Sequence, residues 1–127
     1  MTNKMLNVVV LGASNKPERY SNQAVRLLTE KGHTVFPVNP ASAEIFGIKV
    51  FPRLTDITLP VHTITVYMAA ERSSALADEI LALKPCRVIF NPGAENPDLT
   101  EKLAAADIEA LNACTLVMLK TGGFGSE

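Results

Sequence analysis

The sequence predicts a three-layer α/β/α fold, with a parallel sheet of five strands, plus a short extra one, between two layers of helices. Three observations carry this expectation. Short runs such as LNVVVL at residues 6–11 are apolar at nearly every position, the mark of strands buried on both faces. Between such runs lie segments with apolar residues at helical spacing. The two kinds alternate along the chain, which calls for β-α-β crossovers and a parallel sheet. At 127 residues the chain is read as one domain, residues 1–127, and 47% apolar content is enough to fill its core.

The elements follow in order. Residues 6–11 are the first strand, ended by Gly12. In residues 21–31, Ala24, Val25, Leu27 and Leu28 fall at helical spacing, and Gly32 stops the helix. Residues 34–38 are the second strand, closed by Asn39 and Pro40. Residues 48–51 form the short extra strand and residues 54–57 a helical turn. β-branched residues across 61–67 give the third main strand. Ser73 or Ser74 caps a helix whose apolar face is Leu76, Ala77, Ile80, Leu81 and Leu83, and Pro85 ends it. Residues 87–90 are the fourth strand. Asn96 and Pro97 open the next helix as cap and first-turn proline, with Leu99, Leu103 and Ala106 on its apolar face. Residues 108–111 are a fifth strand, residues 113–120 a last helix, and the Gly-Gly-Phe-Gly tail is expected to fray. The expected strand order is 3-2-1-4-5, with the first strand central and the chain reversing direction beside it. Ligands in such sheets sit at the C-terminal strand ends, at that reversal.

Composition narrows the partners. The net charge is -1, with no basic stripe, so nucleic acid is not an expected partner. The run at 6–11 is far too short to cross a bilayer and no cleavage site follows it, so the expectation is a cytoplasmic protein with no membrane partner. Cys86 and Cys114 are far apart and outside any Cys-x-x-Cys pair, which suggests neither a disulfide framework nor a zinc site.

The loop after the first strand, residues 12–22, is the leading candidate site. Gly12 permits a sharp turn, and Ala13 and Ser14 allow close approach. The helix start beyond offers unpaired N–H groups and the positive end of its dipole, which suit phosphate. Ser14 and Ser21 add hydroxyls, and Lys16 and Arg19 add positive charge. The plain alternative is a solvated loop with a serine cap. The loop contains neither G-x-G-x-x-G nor G-x-x-x-x-G-K-[ST], which argues against a mononucleotide P-loop. A nicotinamide cofactor also wants a carboxylate after the second strand, where this chain has Val38, Asn39 and Pro40. Pro40 offers a flat apolar surface to an adenine ring or serves only as a rigid exit turn.

VVVLGAS, a loop with Pro-Glu-Arg-Tyr-Ser, HTVFPVNP after the helix, and RVIFNPGAEN further on together resemble the CoA-binding domain family. These small stand-alone proteins are similar to the N-terminal domain of the succinyl-CoA synthetase α subunit. The resemblance covers about residues 6–118 and implies a Rossmann-like fold with coenzyme A at the strand ends. It implies that Gly12, Ala13 and Ser14, with Ser21 and Asn22 at the helix start, line the phosphates. Lys16 and Arg19, with Tyr20 beside them, are the implied cationic side of the site. Val38, Asn39 and Pro40 border the adenosine, Tyr67, Met68 and Ala69 form another wall, and Asn91, Pro92 and Gly93 face the pantetheine arm.

The expectation departs from the synthetase subunit, whose second domain carries the phosphorylated histidine: no such domain is expected here. His33 and His62 sit at strand entrances, opposite the proposed site. No Ser/His/Asp set is placed to activate a nucleophile. Glu95 is the lone carboxylate near the binding edge, and its plain reading, like that of Asp98 and Glu101, is a first-turn dipole partner. Cys86 reads as packing. Cys114 follows the fifth strand, where a thiol can meet that of CoA, although most cysteines are inert. The expectation is a binding module for CoA or acyl-CoA rather than a complete enzyme, acting as a homodimer or with an acyl-CoA enzyme partner. Two readings compete with it: an NAD(P)-dependent oxidoreductase, and a regulatory or interaction domain of the same fold without a ligand.

Overall fold

The computed structural model describes residues 5–41 and 44–125. Its sheet has five strands, β1 (Asn7–Leu11), β2 (Thr34–Val38), β5 (Thr63–Val66), β6 (Arg87–Phe90) and β7 (Glu109–Asn112), in the order β2-β1-β5-β6-β7. All four strand pairs are parallel. A two-stranded hairpin of β3 (Glu44–Ile45) and β4 (Ile48–Lys49) lies apart, and Phe51 beyond it makes a parallel bridge to Val38. Counting this short segment as the third strand gives 3-2-1-4-5-6, which contains the expected 3-2-1-4-5 pattern. The strand at residues 61–67, counted third among the main strands in the sequence, takes the fourth place, next to β1. The chain therefore reverses direction between β1 and β5.

Both sheet faces are covered, which is why the strands are apolar throughout. Val8, Val10 and Ile89 pack on α1 (Tyr20–Glu30) and α5 (Thr115–Thr121) through Ala24, Val25, Leu28, Leu116 and Leu119. Val9, Leu11, Ile64, Val66, Val88 and Phe90 pack on the other side against α3 (Ala77–Leu83) and α4 (Pro97–Ala105), through Ile80, Leu99 and Leu103. Leu54, in a 3-10 turn at Leu54–Asp56, joins that second cluster.

Three local expectations are corrected. The helix expected from Ser73 or Ser74 begins at Ala70 and is broken in two: α2 (Ala70–Ser74), then α3. Ser73 and Ser74 do not cap it; their hydroxyls accept hydrogen bonds from Asn96 Nδ2 at 2.8 and 2.9 Å. Pro85 acts as expected, since the residue before a proline is kept out of the helical region and Lys84 leaves at φ 49°. The β3–β4 hairpin was not foreseen. Its turn puts Phe46 and Gly47 at φ 53° and 74°, a pair of positive values typical of two-residue hairpins. The tail does not fray at Phe124, which is buried. The ring packs edge-on to His33 (centroids 5.2 Å apart) and lies 4.5 Å from the Arg87 guanidinium carbon.

Candidate functional site

The sheet reversal places the loops after β1 and β5 side by side. Between them lies a cleft of about 360 Å³ lined by Gly12, Ser14, Lys16, Arg19, Tyr20, Ser21, Tyr67 and Arg72. Three of these side chains are cationic and none is a carboxylate, so the cleft attracts anions. The start of α1 opens into it. Arg19 occupies the cap position, no side chain caps the helix, and its first turn has no acidic residue. Its first amide groups are thus left for a partner outside the helix.

The floor is fixed from below. The Gly12 and Ala13 amides both donate to the Val38 carbonyl at 3.1 Å. Asn39 Nδ2 donates to the Ala13 carbonyl at 2.6 Å, and Asn22 Nδ2 donates to the Ser14 carbonyl at 2.8 Å. Gly12 stands at φ 89°, and a Cβ on it would lie 2.9 Å from the Tyr67 carbonyl oxygen. Glycine is needed there for both backbone angle and space. The Ser14 hydroxyl accepts the Lys16 amide at 3.1 Å, closing the loop's first turn.

A second cleft, of about 370 Å³, shares Tyr20 and Tyr67 with the first. Its other lining residues are Gln23, Asn91, Pro92, Cys114, Leu116, Val117 and Lys120. Beneath it runs a buried polar network. Asn91 Nδ2 donates to Thr65 Oγ1 and the Val66 carbonyl at 2.7 and 2.9 Å, and Asn91 Oδ1 accepts the Thr115 amide at 2.8 Å. The Thr65 and Thr115 hydroxyls pair at 2.8 Å. The Tyr67 hydroxyl is buried beside them without completing a hydrogen bond among the described residues, and burial pushes its phenol up to about 12.

The structure brings together seven of the sequence-derived candidates around the first cleft or its shared wall, with Asn91 and Pro92 on the second. It separates the others. Ala13, Asn22, Val38 and Met68 are buried, Ala13, Val38 and Met68 in the hydrophobic core. Asn39 is spent on the loop, and its Oδ1 accepts the Ala41 amide at 2.7 Å, leaving Pro40 exposed beside it. Ala69 is the cap residue of α2. Gly93 is exposed and donates its amide to Glu95 Oε1 at 3.0 Å, which gives that carboxylate a local turn-closing role. Sequence reasoning missed Arg72, since a helix beginning at Ser73 leaves it in a loop, whereas α2 starts at Ala70 and carries it to the cleft. Gln23, Leu116, Val117 and Lys120 were also missed, because only the packing of α1 beside α5 brings them to one surface. His33 and His62 lie before β2 and β5, at the opposite strand ends.

Comparison with known proteins agrees with this architecture. The sequence model of the family described as CoA binding domain matches residues 7–120. The uncharacterized protein YneT of Bacillus subtilis (strain 168) is 30% identical over 74 residues, a match spanning 58% of this chain and 55% of YneT. The chain thus spans about half the length of that curated relative. A solved structure of an uncharacterized protein is 38% identical with a TM-score of 0.91, covering 96% of this chain and 100% of that one. A Thermus thermophilus structure is 30% identical with a TM-score of 0.86, covering 94% and 91%. The same fold occurs in a dinucleotide-forming acetyl-coenzyme A synthetase of Ca. Korarchaeum cryptofilum, solved with phosphate and ADP. It is 21% identical with a TM-score of 0.71, covering 84% of this chain and 25% of that one. Among the described residues no helix is long and apolar enough to cross a membrane.

Proposed function

The chain belongs to the CoA binding domain family, and from that premise we propose that it binds coenzyme A or an acyl-CoA at the sheet reversal and works as a ligand-binding module without chemistry of its own. The diphosphate lies against the start of α1, with Lys16, Arg19 and Arg72 around it. The adenosine extends toward Asn39 and Pro40, and the pantetheine arm passes Tyr67 toward Pro92. The single observation that carries this reading is the convergence of three cations and an uncapped helix start on a cleft with no carboxylate in its lining. No pair of acid and base faces the cleft, so binding and not proton transfer is what the lining equips it for. An NAD(P) site is disfavoured because Asn39, standing where a ribose-binding carboxylate belongs, has its amide committed to Ala13 and Ala41.

Isothermal titration with CoA, ADP and NAD(H) tests the proposal. CoA should bind tightest, ADP more weakly, and NAD(H) not measurably. Arg72→Ala should weaken CoA about tenfold, as expected for one charge-assisted hydrogen bond of about 1.5 kcal/mol. CoA failing to bind, or binding with no response to Arg72→Ala or Lys16→Ala, refutes the placement.

A further inference from the structure

We propose that the ligand carries a thioester-linked acyl chain, and that the second cleft, between the start of α1 and α5, receives it. This rests on the CoA reading above and names the ligand class within it. The argument begins with continuity. Tyr20 and Tyr67 wall both clefts, so a ligand anchored by its phosphates in the first passes these two rings to reach the second.

The chemistry of the two clefts differs. The first is lined by cations and hydroxyls. The second is lined largely by Tyr67, Pro92, Cys114, Leu116 and Val117. Its one buried amide, Asn91, has both donor hydrogens and its oxygen engaged by Thr65, Val66 and Thr115. Thr65 and Thr115 are paired with each other, and the Tyr67 hydroxyl is turned down toward them, away from the opening. These groups are occupied chiefly with one another, so the floor offers little to an occupant with amides of its own. The pantetheine arm, with two amides, is served at the rim by Gln23 and Lys120 rather than at the floor, where polar groups buried without partners are costly. A hydrocarbon chain meets no such cost. The polar groups Gln23 and Lys120 stand in the lining as well, with Lys120 exposed, which suits the mouth of an apolar channel. Val117 is 55% exposed, so an acyl chain would cover apolar surface that now faces water.

The test is a titration series on the full chain with free CoA, acetyl-CoA, butanoyl-CoA and hexanoyl-CoA, repeated with Val117→Asp. Val117 is exposed, so the substitution leaves the core packing intact. Affinity should rise about fourfold for each added methylene until the chain outgrows the cleft. In the Val117→Asp protein the rise, measured against that variant's own free-CoA affinity, should flatten. Hexanoyl-CoA binding no tighter than free CoA overturns the proposal, as does a chain-length series that Val117→Asp leaves unchanged. Free CoA failing to bind refutes the parent reading instead, so the two failures are told apart by the first titration.

Discussion

Replacing Gly12 by alanine should destabilise the protein far more than the same change at Gly47. Both glycines have positive φ, 89° and 74°. An L-residue in that region costs about 1–2 kcal/mol, offset by about 0.4–1 kcal/mol because alanine restricts the unfolded chain. Gly47 has nothing within 4 Å of an added Cβ, so its net cost should be about 1.5 kcal/mol or less. At Gly12 the Cβ would meet the Tyr67 carbonyl oxygen at 2.9 Å and its carbon at 3.2 Å, both backbone atoms at the end of β5. Such a contact is relieved only by parting two neighbouring strand ends, and overpacking of this kind costs about 1–3 kcal/mol more. The total for Gly12→Ala is about 1–4.5 kcal/mol. Urea denaturation of the two variants measures both costs, with m expected to stay constant. Gly12→Ala losing no more stability than Gly47→Ala would refute the claim that close approach to Tyr67, and not backbone angle alone, fixes glycine here.

Two further predictions concern ionisation. His33 is buried and its Nδ1 accepts the Leu6 amide at 3.0 Å, while burial and then the Arg87 charge lower its pKa below 6.5. The unfolded chain therefore takes up the proton first, and stability should fall as pH drops through 6.5 toward the lowered folded value. Urea midpoints between neutral and mildly acidic pH should show this slope, and His33→Asn should reduce it; an unchanged slope would count against the assignment. For Tyr67, the Tyr20→Phe variant leaves a single tyrosine of the two. Its phenolate absorbance should rise only as pH approaches about 12. Because the folded value is raised, stability is full below about 10, the ordinary phenol value, and declines above it. A transition near the ordinary value in the folded protein would show that the hydroxyl is not buried.

The parallel sheet was legible because burial on both faces leaves nearly unbroken apolar runs, as in residues 6–11 and 88–90. The β3–β4 hairpin was not, since two-residue strands carry no period to read. The start of α2 was misplaced for a related reason. Ser73 and Ser74 look like caps, but their hydroxyls serve Asn96, a partner more than twenty residues away in sequence that only the fold brings near. Of the candidate site, the cationic loop was visible in Lys16 and Arg19 because it is local. Arg72 and the α5 wall of the second cleft depend on packing between distant segments. Phe124 shows the same limit: glycines on either side suggest freedom, yet one aromatic ring is enough to anchor the segment.

The double acceptance at the Val38 carbonyl makes the tips of β1 and β2 a single rigid body. Lengthening the chain between Leu11 and Ala13 would pull that junction apart. Residues 15–19, by contrast, are exposed and hang between two fixed posts, the Ser14 carbonyl held by Asn22 and the first turn of α1. Variation in loop length belongs in that stretch, where a longer or shorter arc would change which anion fits while the scaffold beneath keeps its register.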